Sequence, residues 1–220
     1  MTNDCHSNSA RIDGTFEIQI GKSITERLTI ENAAMDPLDH DEMQIFFTLV
    51  EDRAGIFSFC LNEDSKKKSM AKPVICDQAR RYGSLAVNKK WQLLFCCDSK
   101  LNNDIGIWSM ASGQLLHQVK HQGLEVFKPV SLSIFCGLDS SCIQMAVVVT
   151  SVPLLSVFTI GVIEDENGST CIEEQSVVDV VDGTSLQRPC ATFFDQNGHH
   201  LLSADEGLGK IMVRHVYSLF

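Results

Sequence analysis

The side chains able to do chemistry are scattered along this chain, not gathered at one motif. Nine cysteines and seven histidines stand among 220 residues. A structural zinc site needs four nitrogen or sulfur ligands, commonly with cysteines spaced as Cys-x-x-Cys. No such pair occurs. Cys96 and Cys97 are neighbours, so on a strand their thiols point to opposite faces. Cys136 and Cys142 flank a turn that could bring them close, but two thiols alone make no metal site. The expectation is a chain with no metal and no cofactor.

The other reactive types read the same way. His117 and His121 flank the end of an outer strand, where solvation is expected. His199 and His200 open a strand beside a turn, and a role in a structural network with Asp and Ser outweighs catalysis. Glu164-Asp165-Glu166 and Glu173-Glu174 fall in a hairpin and an outer strand. Solvated carboxylates are the default there. No Gly-x-Ser-x-Gly elbow, P-loop or dinucleotide fingerprint is present, and Gly207-Leu208-Gly209 reads as a turn. These residues argue against an enzyme. Lys66, Lys67 and Lys68, with Lys72 nearby, form a basic loop, and Arg80-Arg81 a second small cluster. Both read as solvated, with Lys66–Lys68 the candidate contact for phosphate.

Composition bounds the partners. A net charge of −10 cannot by itself provide the broad basic surface that nucleic acid needs. The longest apolar runs, such as Met145–Val149 and Val152–Leu155, are strand-sized and far short of the roughly 20 residues of a membrane helix. Residues 1–10 lack the apolar segment of a secretory signal, and residues 1–14 are expected to be disordered. Without an export signal the cysteines read as reduced and mostly buried, since Cys60, Cys96, Cys97, Cys136, Cys142 and Cys190 lie in apolar runs. No membrane association is expected.

The elements that must position these groups are strands. Short apolar or alternating runs recur between Gly, Asn, Asp and Pro, and no long stretch keeps a helical stripe. Four segments line up: Gly55–Phe59, Asp104–Trp108, Leu154–Phe158 and Lys210–Arg214. Their last residues are 49, 50 and 56 positions apart. Each is preceded by another apolar strand: Gln44–Val50, Gln92–Cys97, Gln144–Thr150 and His200–Ala204. A period of about 40–50 residues with four strands per unit marks propeller blades.

The expected fold is therefore all-β, with WD-repeat-like blades of four antiparallel strands in an incomplete ring of three to four blades. The blades are placed at about 15–80, 81–122, 128–182 and 188–220, the last without its outer strand. Thr15–Ile20 and Leu28–Ile30 are candidates for the first inner strand, or for the outer strand of a ring-closing blade. Ile107-Trp108-Ser109-Met110-Ala111-Ser112-Gly113 resembles the end of a WD repeat, with Ser109 where the repeat has aspartate. So few blades would leave apolar terminal faces and open edges. The expectation is a fragment or partial product, prone to aggregate alone.

The order of features resembles the N-terminal half of one family, the non-catalytic WD-repeat subunit of the tRNA (guanine-N7)-methyltransferase complex. The first blade runs into the charged connector Asn62–Lys68. Leu94-Phe95-Cys96-Cys97-Asp98-Ser99-Lys100 is similar to that family's strand ending in Asp-Asp-Ser-Lys. The next blade has no Trp-Asp and ends in Ser156-Val157-Phe158. Leu201-Leu202-Ser203-Ala204-Asp205 is similar to its strand ending in Thr-Ala-Asp. Beyond it Lys210 and Ile211 match, while Met212 replaces an arginine and Gly207-Leu208-Gly209 replaces acidic residues.

The resemblance implies a scaffold that holds a catalytic methyltransferase subunit and meets tRNA through that complex. It implies Asp205, Glu206, Lys210 and Arg214 as partner-binding residues, and the nucleus, with the cytoplasm second, as location. The alternative is a WD-repeat adaptor without an RNA role, such as a ubiquitin-ligase substrate receptor, a nucleoporin-like protein or a repair scaffold.

Overall fold

The computed structural model describes residues 30–35, 43–49, 55–61, 72–76, 81–101, 104–122, 129–137, 140–149, 152–166, 168–180, 186–195 and 197–216. The expected disorder of residues 1–14 and the strand Thr15–Ile20 lie outside the described residues. Among the described residues fifteen strands form four sheets. The first contains β1 (Ile30–Met35), β2 (Met43–Leu49), β3 (Gly55–Leu61) and β4 (Lys72–Cys76). The second contains β5 (Tyr82–Asn88), β6 (Leu93–Asp98), β7 (Ile105–Ser109) and β8 (Leu115–Val119). The third contains β9 (Pro129–Cys136), β10 (Cys142–Val149), β11 (Leu154–Glu164) and β12 (Thr170–Asp179). The fourth contains β13 (Pro189–Phe194), β14 (His200–Asp205) and β15 (Lys210–His215).

Within each sheet neighbours in sequence are neighbours in space and every pairing is antiparallel. The strands read from sequence in the second, third and fourth units are present. The inner strand of the first sheet begins at Ile30, where the sequence reading has its strand ending. Its sequence, Ile-Glu-Asn-Ala-Ala-Met, has little intrinsic strand preference. Pairing supplies what propensity lacks, because Ala33 and Ala34 sit across from Phe47 and Phe46.

The core lies between the sheets, not within any one of them. Phe46, Ile56 and Ile75 of the first sheet meet Leu85, Val87, Leu94 and Trp108 of the second. The other side of the second sheet, with Leu93, Phe95, Ile105 and Ile107, meets Met145, Val147, Phe158 and Ile160 of the third. Ala146, Val148, Leu155 and Val157 of the third meet Leu201 and Val216 of the fourth unit. Each interior sheet is thus apolar on both faces, which explains why strands such as Leu93–Cys97 and Met145–Val149 read as continuous apolar runs. The inner strands β1, β5, β9 and β13 lie side by side along the series. Ser84 Oγ donates to the Val130 carbonyl at 2.7 Å, and Ser131 Oγ accepts from the Thr192 amide at 3.2 Å, stitching that row.

The reading of the thiols needs correction. Cys96, Cys97 and Cys136 are buried, but Cys60, Cys171 and Cys190 are exposed and Cys142 is half-buried. Apolar neighbours in sequence do not by themselves bury a strand residue, because alternate side chains point to opposite faces of the sheet. Among the described residues no helix is long and apolar enough to cross a membrane.

Candidate functional site

The candidate residues on the fourth sheet divide into an inner and an outer set. Asp205 closes β14 and is only 2% exposed. Its Oδ2 accepts from the Gln187 amide at 2.8 Å, and its Oδ1 accepts from the amides of Arg188 and Leu208, both at 3.0 Å. Burial opposes its ionisation, but these amides and that of Gly207 outweigh it, so the carboxyl sits below the usual carboxylate range. Asp205 therefore ties the entry segment at 187–188 to the turn at 206–209.

Arg214 is the second inner residue. Across the ladder it faces Leu201, and its Nη1 donates to Ser203 Oγ at 2.6 Å while Nη2 lies 3.3 Å from Met212 Sδ. It is buried. The other two candidates lie at the surface. Glu206 Oε2 stands 3.3 Å from Arg188 Nε, with both side chains about two-thirds exposed. Such an ion pair is worth little and leaves both groups open to a partner. Lys210 is exposed and directly across from Asp205. Sequence reasoning missed Arg188, which no motif marks. Its place before Pro189, the first residue of a strand that pairs with β14 at Asp205, was the available signal. Lys66, Lys67 and Lys68 lie outside the described residues.

Two polar networks show what the remaining chemistry-bearing residues do. His121 is buried, not solvated as expected. Its Nε2 lies 2.8 Å from Asp179 Oδ1, which also accepts from Ser156 Oγ at 2.7 Å. A nucleophile triad needs the imidazole between hydroxyl and carboxylate so that it can take the hydroxyl proton. Here the carboxylate is in the middle, so the order suits a structural clamp between the second and third sheets. The His121 ring also meets Phe158 edge-on, with centroids 6.3 Å apart.

His200 joins Asp195. Its amide donates to Oδ1 and its Nδ1 meets Oδ2, both at 2.9 Å. The backbone and ring contacts from His200 hold the Asp195 carboxyl low, against an opposing effect of burial. Glu174 behaves in the opposite sense, because burial raises its carboxyl while His117 and His121 pull it back. Among the described residues no group of three or more His, Cys, Asp and Glu is placed to hold a metal ion.

No family model matches this sequence, and no curated protein matches it. Solved structures do. The β-propeller domain of Cps50 (Swd1) from Myceliophteria thermophila superposes with a TM-score of 0.53 at 9% identity, covering 87% of this chain and 59% of that one. The chain folds as β-propeller blades. The C-terminal WD40 domain of Sif2 (TM-score 0.46, 13% identity, 92% of this chain and 61% of that one) is also similar. So is the WD40 domain of SCAP from fission yeast (TM-score 0.47, 8% identity, 79% and 48%). The chain spans about half to three-fifths of the length of these propeller domains. In propeller terms, Asp205 and Arg214 hold the fourth blade together. Glu206, Arg188 and Lys210 are the charged groups its 206–209 turn and strand ends present to solvent.

Proposed function

We propose that this chain is a protein-interaction scaffold. The observation that carries the reading is the use made of its polar groups. The carboxylates of Asp205, Asp179 and Asp195 are each spent on fixing a turn or a blade junction, while the charges around the 206–209 turn face outward. Rigid blades with charged ends suit recognition by complementary potential.

Within that reading, the finer assignment is a non-catalytic subunit that binds a tRNA (guanine-N7)-methyltransferase catalytic subunit and meets tRNA through it. The strand endings at Asp98-Ser99-Lys100 and Ser203-Ala204-Asp205 support it. The acidic balance also suits a basic partner, and the nucleus is the proposed site. Glu206 and Lys210 would touch the partner, with Asp205 and Arg214 positioning them. An adaptor role without RNA is the rival.

Affinity purification of the tagged chain from its own cells, followed by mass spectrometry and tRNA detection, separates the two. Recovery of a methyltransferase with tRNA, weakened by Glu206→Arg and Lys210→Glu, supports the finer assignment. Recovery of ligase or pore components keeps the scaffold and discards the tRNA role. Intrinsic turnover by the pure chain overturns both.

A further inference from the structure

Four titratable side chains meet in the groove between the outer strands of the second and third sheets. His117 on β8 lies across from Ile107, which packs against the third sheet, so His117 faces that sheet too. Glu174 on β12 lies across from Ile160, which packs against the second sheet, so Glu174 faces back toward it. His121 follows β8 and is buried, with its Nε2 2.8 Å from Oδ1 of Asp179 at the end of β12. His117 and His121 both act on the charge of Glu174, so the three stand within electrostatic reach of one another. His117 and Glu174 are half-buried, and water screens the groove only in part.

Above the ordinary imidazole range this groove holds two carboxylates and two neutral rings. Lys120 does not correct the balance, because its Nζ lies 3.9 Å from Asp104 Oδ2, the oxygen that also accepts from Gln118. Lys90 is turned to the Ser140 carbonyl at 2.9 Å. Glu173 lies across from Gly161 and points away from the groove, and Glu164 shares the groove face only at the exposed end of the hairpin. Among the described residues, Glu174 and Asp179 are therefore the charges that the third sheet turns to the two histidines. Burial raises the Glu174 carboxyl, so its charge is held at a cost until an imidazolium stands beside it.

We infer that this groove is a pH-sensitive latch, in which His117 and His121 draw the second and third sheets together as the pH falls from about 7.5 to about 6. Each imidazole that takes a proton there gains a carboxylate neighbour across the junction, which an opened junction does not offer. The closed junction then binds more protons than the open one, and closure strengthens as pH falls. Glu174 works in the same direction, since a raised acid adds stability below its folded value and loses it above. Ser156 holds Asp179 in place throughout, its hydroxyl donating to the same oxygen at 2.7 Å. The latch is independent of which partner the scaffold binds.

Hydrogen exchange of the full chain at about pH 7.5 and about pH 6, with rates corrected for the intrinsic effect of pH, tests it. Protection of the β8 and β12 amides should be roughly fivefold greater at the lower pH, the size that two partly screened ion pairs give. Protection of β3 in the first sheet should stay unchanged. In the double variant His117→Gln, His121→Gln the gain at β8 and β12 should vanish. His117→Gln alone, at a half-buried position, should lose part of it and keeps the test decisive where the double variant does not fold. Glu174→Gln should shrink the gain from the other side of the groove by raising protection at the higher pH. No gain at β8 and β12, an equal gain at β3, or a gain that survives the histidine substitutions overturns the latch.

Discussion

Asp98 and Asp205 occupy the same place in two sheets, each ending the second strand of its blade and each almost wholly excluded from solvent. A carboxylate there has no water to satisfy it and must take its hydrogen bonds from the chain. Asp205 does so with the amides of Gln187, Arg188 and Leu208, and the residue is structural before it is anything else. Asp205→Ala leaves those amides without an acceptor. The melting temperature should fall by about 5–10 °C, from the usual worth of charged hydrogen bonds spread over a chain this size. Asp205→Asn, which keeps one acceptor oxygen, should lose less. Scanning calorimetry on the three proteins checks the order, and equal melting of Asp205→Ala and the parent would remove the residue from this role.

The same carboxylates set the response to acid. Asp205 and Asp195 have their carboxyls held low in the folded chain. A depressed acid adds stability above its unfolded value of about 4 and loses it as pH falls through the folded value. Glu174 is raised, so its contribution has the reverse sign: present at low pH and lost as the pH climbs past its folded value. Stability should therefore drop as pH falls below about 4. Glu174→Gln should raise the melting temperature at pH 7 and bring no gain at about pH 3.5, where the carboxyl is protonated in any case. A gain of equal size at both pH values would mean that the charge of Glu174 is not the cause.

Much of the architecture was legible because blade strands buried on both faces read as unbroken apolar runs. Leu93–Cys97 and Met145–Val149 announce themselves, and Trp108, Phe158 and Arg214 fall at matching positions of successive blades. What was not legible depends on register. In Lys210–Arg214 the alternation suggests that Ile211 and Val213 point into the core, but pairing with β14 turns Arg214 inward and both aliphatics outward. A shift of one residue exchanges the two faces, and no local sequence feature distinguishes them. His121 was equally opaque. Its partner Asp179 lies 58 positions away, and Ser156, which shares that carboxylate, lies 35 away, so only the folded chain brings the three together.

Gly168 and Gly198 both adopt a left-handed backbone, with φ of +75° and +68°. Their surroundings differ. A Cβ on Gly168 meets nothing, whereas one on Gly198 overlaps the Phe135 ring. Gly168→Ala should cost about 1 kcal/mol, the backbone penalty alone. Gly198→Ala should cost about 3–4 kcal/mol, since the Phe135 ring must also leave its contact with Phe194 at the junction of the third and fourth sheets. Urea unfolding of the two variants measures the gap. Adding Phe135→Leu to Gly198→Ala should recover part of the loss, and two equal costs would show that the ring moves aside freely.

Thiol reactivity should separate the cysteines by position. Burial pushes the Cys97 thiol up to about 12, so almost no thiolate exists there near pH 8. Cys60, Cys171 and Cys190 are exposed. Brief maleimide treatment of the folded chain should modify those three and spare Cys96 and Cys97 until denaturant is added, as peptide mass mapping would record. Early labelling of Cys97 would mean that the junction of the second and third sheets opens on that timescale.

The clamp at Asp179 allows a sharper test, because its geometry forbids one chemistry and demands one energetic coupling. Ser156 and His121 each touch the carboxylate, not one another. A fluorophosphonate probe should leave Ser156 unmodified, since its buried hydroxyl donates to a carboxylate, far too weak a base to activate a serine, and not to an imidazole. Ser156→Ala should cost about 1 kcal/mol for a lost hydrogen bond. His121→Ala should cost more, since it also removes the ring packed edge-on against Phe158. Because both act through one carboxylate, the double variant should differ from the sum of the singles by at least about 0.5 kcal/mol. Strict additivity would mean that Asp179 does not couple the two sheets, and a labelled Ser156 would reopen the case for catalysis.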